Sequence, residues 1–181
     1  MAECIAAIKS SKASDATKLA LEFLILTASR SGEIRNARWD EISLDISPSS
    51  PFPVWSVPAV RMKAKRLHTV PLSNRAIALI GEAEALSDGS GLLFPGTSQG
   101  KALSDMTLSK LVKELGFDAD VHGFRTSFKT WAQEKTGFAN EVSEMALAHT
   151  IKNKAEAAYA RSDLIEKRKE MMEQWAEYLA R

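Results

Sequence analysis

A segment at residues 14–28 that is apolar on almost every side constrains this chain more than any other feature. Ser14 or Asp15 offers an N-cap. Ala16, Leu19, Ala20, Phe23 and Leu24 recur at helical spacing, and Leu21, Ile25 and Leu26 cover the remaining sides. A helix without a polar face must be buried. The run 19–28 is too short to span a bilayer and contains Glu22. The rest of the chain must therefore wrap this helix, and 181 residues suffice for one domain with a core. Just beyond it, Thr27–Ala–Ser–Arg–Ser–Gly–Glu33 places Arg30 at the end of a core helix. That is a rigid mount for a charged group.

The other segments supply the wrapping. Residues 48–53 form a Ser/Pro loop. Residues 54–57 and 68–72 read as strands joined by a basic turn, and 41–45 adds a third strand. Asn74 caps a helix with Ala76, Leu79, Ile80 and Ala83 inward, and Asp105 caps another with Leu108, Leu111, Val112 and Leu115 on one face. In the helix beginning near His122, Phe124, Phe128 and Trp131 share one face while His122, Arg125 and Lys129 share the opposite one. Asn140 opens a short helix through His149, and Tyr159 lies in a further short helical stretch. Asp163 caps a last helix with Leu164, Met171, Met172, Trp175 and Leu179. The expected architecture is mainly α with a small three-stranded antiparallel sheet, in a single domain over 1–181.

Composition narrows the function. The net charge is only +1, so binding to nucleic acid must come from a local patch. A lone cysteine excludes a disulfide framework and a cysteine metal site, and the three histidines lack metal-ligand spacing. The N-terminus has Glu3 and no signal pattern, which makes the cytoplasm the expected location and leaves no membrane partner.

The chemistry sits in His122–Gly–Phe–Arg125, His149 and Tyr159, together with Arg30. A phenol is protonated until about pH 10 and is a poor nucleophile. It becomes competent when cations stabilise the phosphate it attacks and a neighbour takes its proton. Arg30 and Arg125 can form a phosphate clamp, since a guanidinium fork matches phosphate geometry. His122 can accept the tyrosine proton and His149 can donate to a phosphate oxygen. Each residue has an ordinary alternative: salt-bridged arginines (Glu33 with Arg30), a helix-start histidine, a core histidine, a half-buried tyrosine. Arg61, Lys63, Lys65, Arg66 and His68 form a run without an acid, suited either to a nucleic-acid backbone or to blunting an edge hairpin. One of its lysines could protonate a leaving alkoxide, and position alone does not choose Lys63 over Lys65. The joint set points to phosphodiester chemistry without a metal.

At this point the chain resembles the catalytic domain of tyrosine recombinases, the integrases of prophages and genomic islands. The resemblance runs through Leu26–Thr–Ala–Ser–Arg–Ser–Gly–Glu–Ile34 with Trp39, Val57–Pro–Ala–Val–Arg–Met–Lys63 leading to His68–Thr–Val–Pro–Leu–Ser73, His122–Gly–Phe–Arg125, Ala146–Leu–Ala–His149 and Ala157–Ala–Tyr–Ala–Arg161. It implies DNA breaking and rejoining for site-specific integration, through a 3′-phosphotyrosyl link and with no cofactor. It implies that Arg30 and Arg125 bind the scissile phosphate, with Glu33 supporting Arg30. Lys63 would be the general acid, His122 would assist proton transfer, His149 would bond a phosphate oxygen and Tyr159 would attack. Arg61, Lys65, Arg66 and Lys129 are the expected DNA contacts. The implied partners are double-stranded attachment sites, a tetramer on DNA in which the last helix docks on a neighbour or packs on its own domain, and an accessory DNA-bending protein. Many relatives have Gly where this chain has Ala148. The family's N-terminal DNA-binding domains are expected to be absent here. Competing readings are a type IB topoisomerase and a non-catalytic fragment of a decayed integrase.

Overall fold

The computed structural model describes residues 2–46, 51–117, 120–149 and 164–181. Its helices are α1 (Ala2–Ser10), α2 (Asp15–Thr27), α3 (Ser31–Arg35), α4 (Asn74–Glu84), α5 (Thr107–Glu114), α6 (Gly123–Lys135), α7 (Asn140–Ala146) and α8 (Ile165–Ala180). Its strands are β1 (Ile42–Ser43), β2 (Val54–Val57) and β3 (His68–Pro71). Tyr159, the helical stretch around it, the Asp163 cap and part of the Ser/Pro loop lie outside the described residues.

Helix α2 is the axis of the fold. Ser14 caps it, its Oγ accepting from the Thr17 N–H at 3.3 Å. Leu21, Phe23, Leu24 and Ile25 are wholly buried, and α1, α3, α4, α5 and α8 all pack against α2. The core expected from its all-round apolar pattern is therefore present. α2 ends where Ala28 turns left-handed at φ 49°, which swings Arg30 out as the N-cap of α3.

The three strands form one antiparallel sheet in the order β1-β2-β3, with Val54 opposite Pro71 and Val57 opposite His68. Strand β1, expected over 41–45, is only two residues long. The loop between β2 and β3 is pinned by buried Met62. It is also pinned through Glu41, whose Oε2 accepts from Trp55 Nε1 at 3.0 Å and from Arg61.

Helix α8 packs on α1, α2, α4, α7 and β3 of its own domain. Met171, Met172, Trp175 and Leu179 are buried there. Trp175 Nε1 donates to the Ile25 carbonyl at 2.8 Å, and its ring meets Phe128, Trp131 and Tyr178. The apolar stripe that could have docked on a neighbour is thus covered from within. No helix among the described residues is long and apolar enough to cross a membrane.

Several local expectations are displaced. Ser73 rather than Asn74 caps α4, accepting from Ala76 N–H. α5 begins at Thr107, two residues past Asp105. α7 stops at Ala146 instead of running through His149, because Ala148 is left-handed at φ 50°. Helices α1 and α3 were not anticipated. Both are short, and α1 buries only Cys4 and Ile8, a weak periodic signal.

Candidate active site

Arg125 is the centre of the site. Its helix, α6, starts at a turn where Asp120 Oδ1 accepts from Gly123 N–H at 2.6 Å. Phe124, Phe128 and Trp131 anchor one face of α6. Arg125 is itself only 4% exposed. A buried charge must be paired or hydrogen-bonded, and this one is held by main-chain carbonyls. Its Nη1 donates to Ala28 O at the end of α2. Its Nη2 donates to Leu147 O at the end of α7, at 2.7 Å. Both carbonyls belong to helix C-termini, where the macrodipole favours a cation. Arg125 Nε has no partner among the described residues.

Arg30 comes from the other side of the chain. Buried Glu33 fixes it, one oxygen accepting from Arg30 N–H and the other from Arg30 Nη1, each at 2.9 Å. The guanidinium is 28% exposed, and its Nε and Nη2 donors remain free among the described residues. Burial, then the positive charge of Arg30, push the Arg125 guanidinium down to about 10, with Glu33 opposing. It is still a cation at neutral pH. Two guanidinium groups close enough to disfavour each other form a site that an anion relieves.

His149 joins this pair. Its Nε2 lies 3.3 Å from Arg125 Nη2, and its Nδ1 lies 2.9 Å from Glu144 Oε2. His122, one turn before Arg125, is exposed, and its side chain makes no hydrogen bond to a described residue, while its carbonyl accepts from Arg125 N–H at 3.0 Å. It is available to a substrate. Lys63, Lys65 and Arg66 are exposed in the β2–β3 loop, Lys65 in a left-handed turn at φ 53°. The other two expected DNA contacts are placed differently. Arg61 is 17% exposed and turned inward on Glu41. Lys129 is bound to α7 through Glu144, Asn140 and Ser143. The structure thus brings together Arg30, Glu33, Arg125 and His149, and leaves His122 and Lys63 free at the surface.

Three further residues belong to this neighbourhood. His68, on β3, is held neutral: burial pushes it down to about 4, the charges of Arg168 and Arg125 add to this, and Glu33 and the Ala146 carbonyl oppose. Arg168, on α8, is buried and donates from Nη1 to Thr69 O at 2.8 Å. It falls at helical spacing within the stripe of Leu164, Met171 and Trp175, so a lone charge on an apolar face was the signal for it. Glu144 had no such signal, because its role depends on the fold of the turn after α7.

Comparisons with known proteins bear on the family and the fold. The phage integrase family profile matches residues 1–164. The chain is 36% identical over 173 residues to prophage integrase IntA of Escherichia coli K12, covering 94% of this chain and 40% of that protein. It is 34% identical over 181 residues to the integrase of Enterobacteria phage P4, covering 90% of this chain and 40% of that one. The chain therefore spans about two-fifths of the length of these relatives. The fold is similar to that of the XerH site-specific recombinase bound to difH substrate in a pre-cleavage complex. The TM-score there is 0.62 at 17% identity, covering 88% of this chain and 50% of that one. The mainly helical architecture with its small antiparallel sheet is that of a tyrosine-recombinase catalytic domain. On the profile match and these identities, the chain belongs to the phage integrase family.

Proposed function

We propose that this chain cleaves and rejoins DNA strands in site-specific recombination, through a 3′-phosphotyrosyl link to Tyr159. The observation that carries the reading is the convergence of Arg30 and Arg125, from separate helices, beside His149. Such a site fits a phosphodiester whose charge grows as it is attacked. In this reading the two guanidinium groups and His149 hold the non-bridging oxygens. The Tyr159 phenol oxygen bonds to phosphorus, its proton passing to His122. The bond to the 5′ oxygen breaks, and that oxygen takes a proton from Lys63. Reversal of these steps by a new 5′ hydroxyl rejoins the strand. The phosphotyrosyl bond conserves the energy of the phosphodiester.

Lys65 and Arg66, exposed on the hairpin loop, would contact the DNA backbone. Residues 1–181 act as the catalytic unit, and selective grip on an attachment site would come from protein outside it. Exchange between two duplexes would use a tetramer, and a DNA-bending protein would assist where the site is long.

The test is covalent capture. The protein is incubated with nicked fragments of the genome that encodes it, digested with nuclease and protease, and examined by mass spectrometry. A nucleotide on Tyr159, absent from Tyr159→Phe while DNA binding persists, is the expected result. A nucleotide on another residue would overturn the assignment. Relaxation of plasmid by monomers with no strand exchange would move the activity to a topoisomerase.

A further inference from the structure

Helices α6 and α7 are joined by a polar relay that ends on His149. Lys129 Nζ, on α6, lies 2.6 Å from Asn140 Oδ1, 2.7 Å from Ser143 Oγ and 2.7 Å from Glu144 Oε1. An ammonium has three protons, and these acceptors use all three. Ser143 Oγ in turn donates to Asn140 O at 2.8 Å, which leaves its lone pair for Lys129. Glu144 is thereby fixed by one oxygen, and its other oxygen faces His149 Nδ1 at 2.9 Å. The His149 N–H also donates to the Glu144 carbonyl at 2.9 Å, so ring and backbone are tied to the same residue.

The protons on the ring follow from what its partners can do. A carboxylate only accepts, so Nδ1 carries a hydrogen. A guanidinium only donates, so Nε2, 3.3 Å from Arg125 Nη2, presents a lone pair in the free protein. Burial would raise the Glu144 carboxyl, but hydrogen bonds from Lys129 and His149 and their charges outweigh it and hold it below the usual carboxylate range. Among the described residues, the charged groups facing the ring are Glu144 on α7 and Arg125 on α6. Lys129 reaches it only through Glu144, while Arg30, Glu33 and His68 act on or with Arg125.

We infer that Glu144, oriented by Lys129, is a positioning residue for His149: it sets the Nδ1–H tautomer and aims Nε2 at the anion site beside Arg125. To donate to a phosphate oxygen, Nε2 takes a second proton from solvent, and Glu144 supplies the counter-charge. The catalytic part of this inference rests on the function proposed above. The tautomer does not.

The experiment reads the ring nitrogens directly. Long-range 15N–1H spectra of the free protein resolve its three histidines, assigned with His149→Asn. Wild type is expected to show His149 with a protonated Nδ1 and an unprotonated Nε2 in the neutral ring. Glu144→Ala should leave Nδ1 without its acceptor and give a mixture of the two tautomers, Arg125 still favouring a lone pair on Nε2, with the backbone amide spectrum and melting temperature otherwise retained. Lys129→Met should give a smaller shift in the same direction. On cleavable DNA, Glu144→Ala should slow strand cleavage by at least about tenfold, the scale seen when an orienting partner is lost, with half-saturating DNA unchanged. A wild-type ring protonated on Nε2, or a tautomer indifferent to Glu144→Ala, would overturn the inference. So would a shifted tautomer with an unchanged cleavage rate. A wild-type protein that cleaves no DNA would count against the proposed function, while the ring spectrum still decides the role of Glu144.

Discussion

At the scale of single residues, Arg125 combines two roles that are usually separate. It closes the carbonyl ends of two helices, at Ala28 and Leu147, and in the proposed reaction it holds the scissile phosphate. Arg125→Ala should therefore lower strand cleavage by more than about a hundredfold, the scale for removing a charge-stabilising donor. It should also lower the melting temperature, because two buried acceptors lose their donors. Arg30→Ala should match it in cleavage with a smaller loss of stability, since Arg30 is partly exposed, pairs among the described residues with Glu33 alone, and leaves buried Glu33 the residue 30 N–H as a donor. Parallel cleavage assays and thermal melts separate the two. Lys63→Ala should be rescued by a 5′-phosphorothiolate, whose leaving group needs no proton. Rescue of Lys65→Ala instead would move the general acid. The sequence announced these side chains by type and spacing. It did not reveal the inward turn of Arg61 and Lys129, because a basic residue on a polar face looks the same whether an acid from another element meets it or not.

At the scale of elements, the ends of helices were harder to read than their faces. The apolar faces of α2, α4, α5, α6 and α8 follow from periodicity alone. The end of α7 does not, because it depends on one alanine in a left-handed turn. Ala148 sits at φ 50°, where its N–H bonds to Met145 O and that of His149 bonds to Glu144 O. A Cβ in this region costs roughly 1–2 kcal/mol, against which glycine's greater unfolded-state entropy offsets about 0.5–1 kcal/mol. Ala148→Gly is thus expected to stabilise the domain by about 0.5–1 kcal/mol in urea titration, leaving the His149 ring in place. A destabilised variant would mean that the turn is set by something other than backbone sterics.

At the scale of the molecule, α2 organises the core, and its C-terminal end, through Ala28 and Arg30, organises the site. The run 14–28 made the first legible. The second was not, because the site also depends on α7 and α8 closing over β3, a long-range arrangement that no local pattern encodes. That closure has a pH consequence. His68 is neutral in the folded protein, its affinity for a proton lowered from the ordinary 6.5 to about 4. Between these values the unfolded chain binds more protons, so stability falls as pH falls, by about 3 kcal/mol or less. Glu144, depressed in the fold, adds a loss in the same direction as the pH drops through its own range. His68→Gln should flatten the part of the decline between about pH 6.5 and 4. An identical acid slope in chemical denaturation of the two proteins would contradict this. The central claim is that Arg30, Arg125 and His149 hold one phosphate. Its most direct measurement compares wild type with Arg125→Ala on two substrates, one with a normal scissile phosphate and one with a neutral methylphosphonate there. The account predicts that the gap of more than about a hundredfold shrinks by at least about tenfold when the charge is removed from the substrate. The same gap on both substrates would contradict it, and would leave Arg125 as a structural clamp between two helix ends.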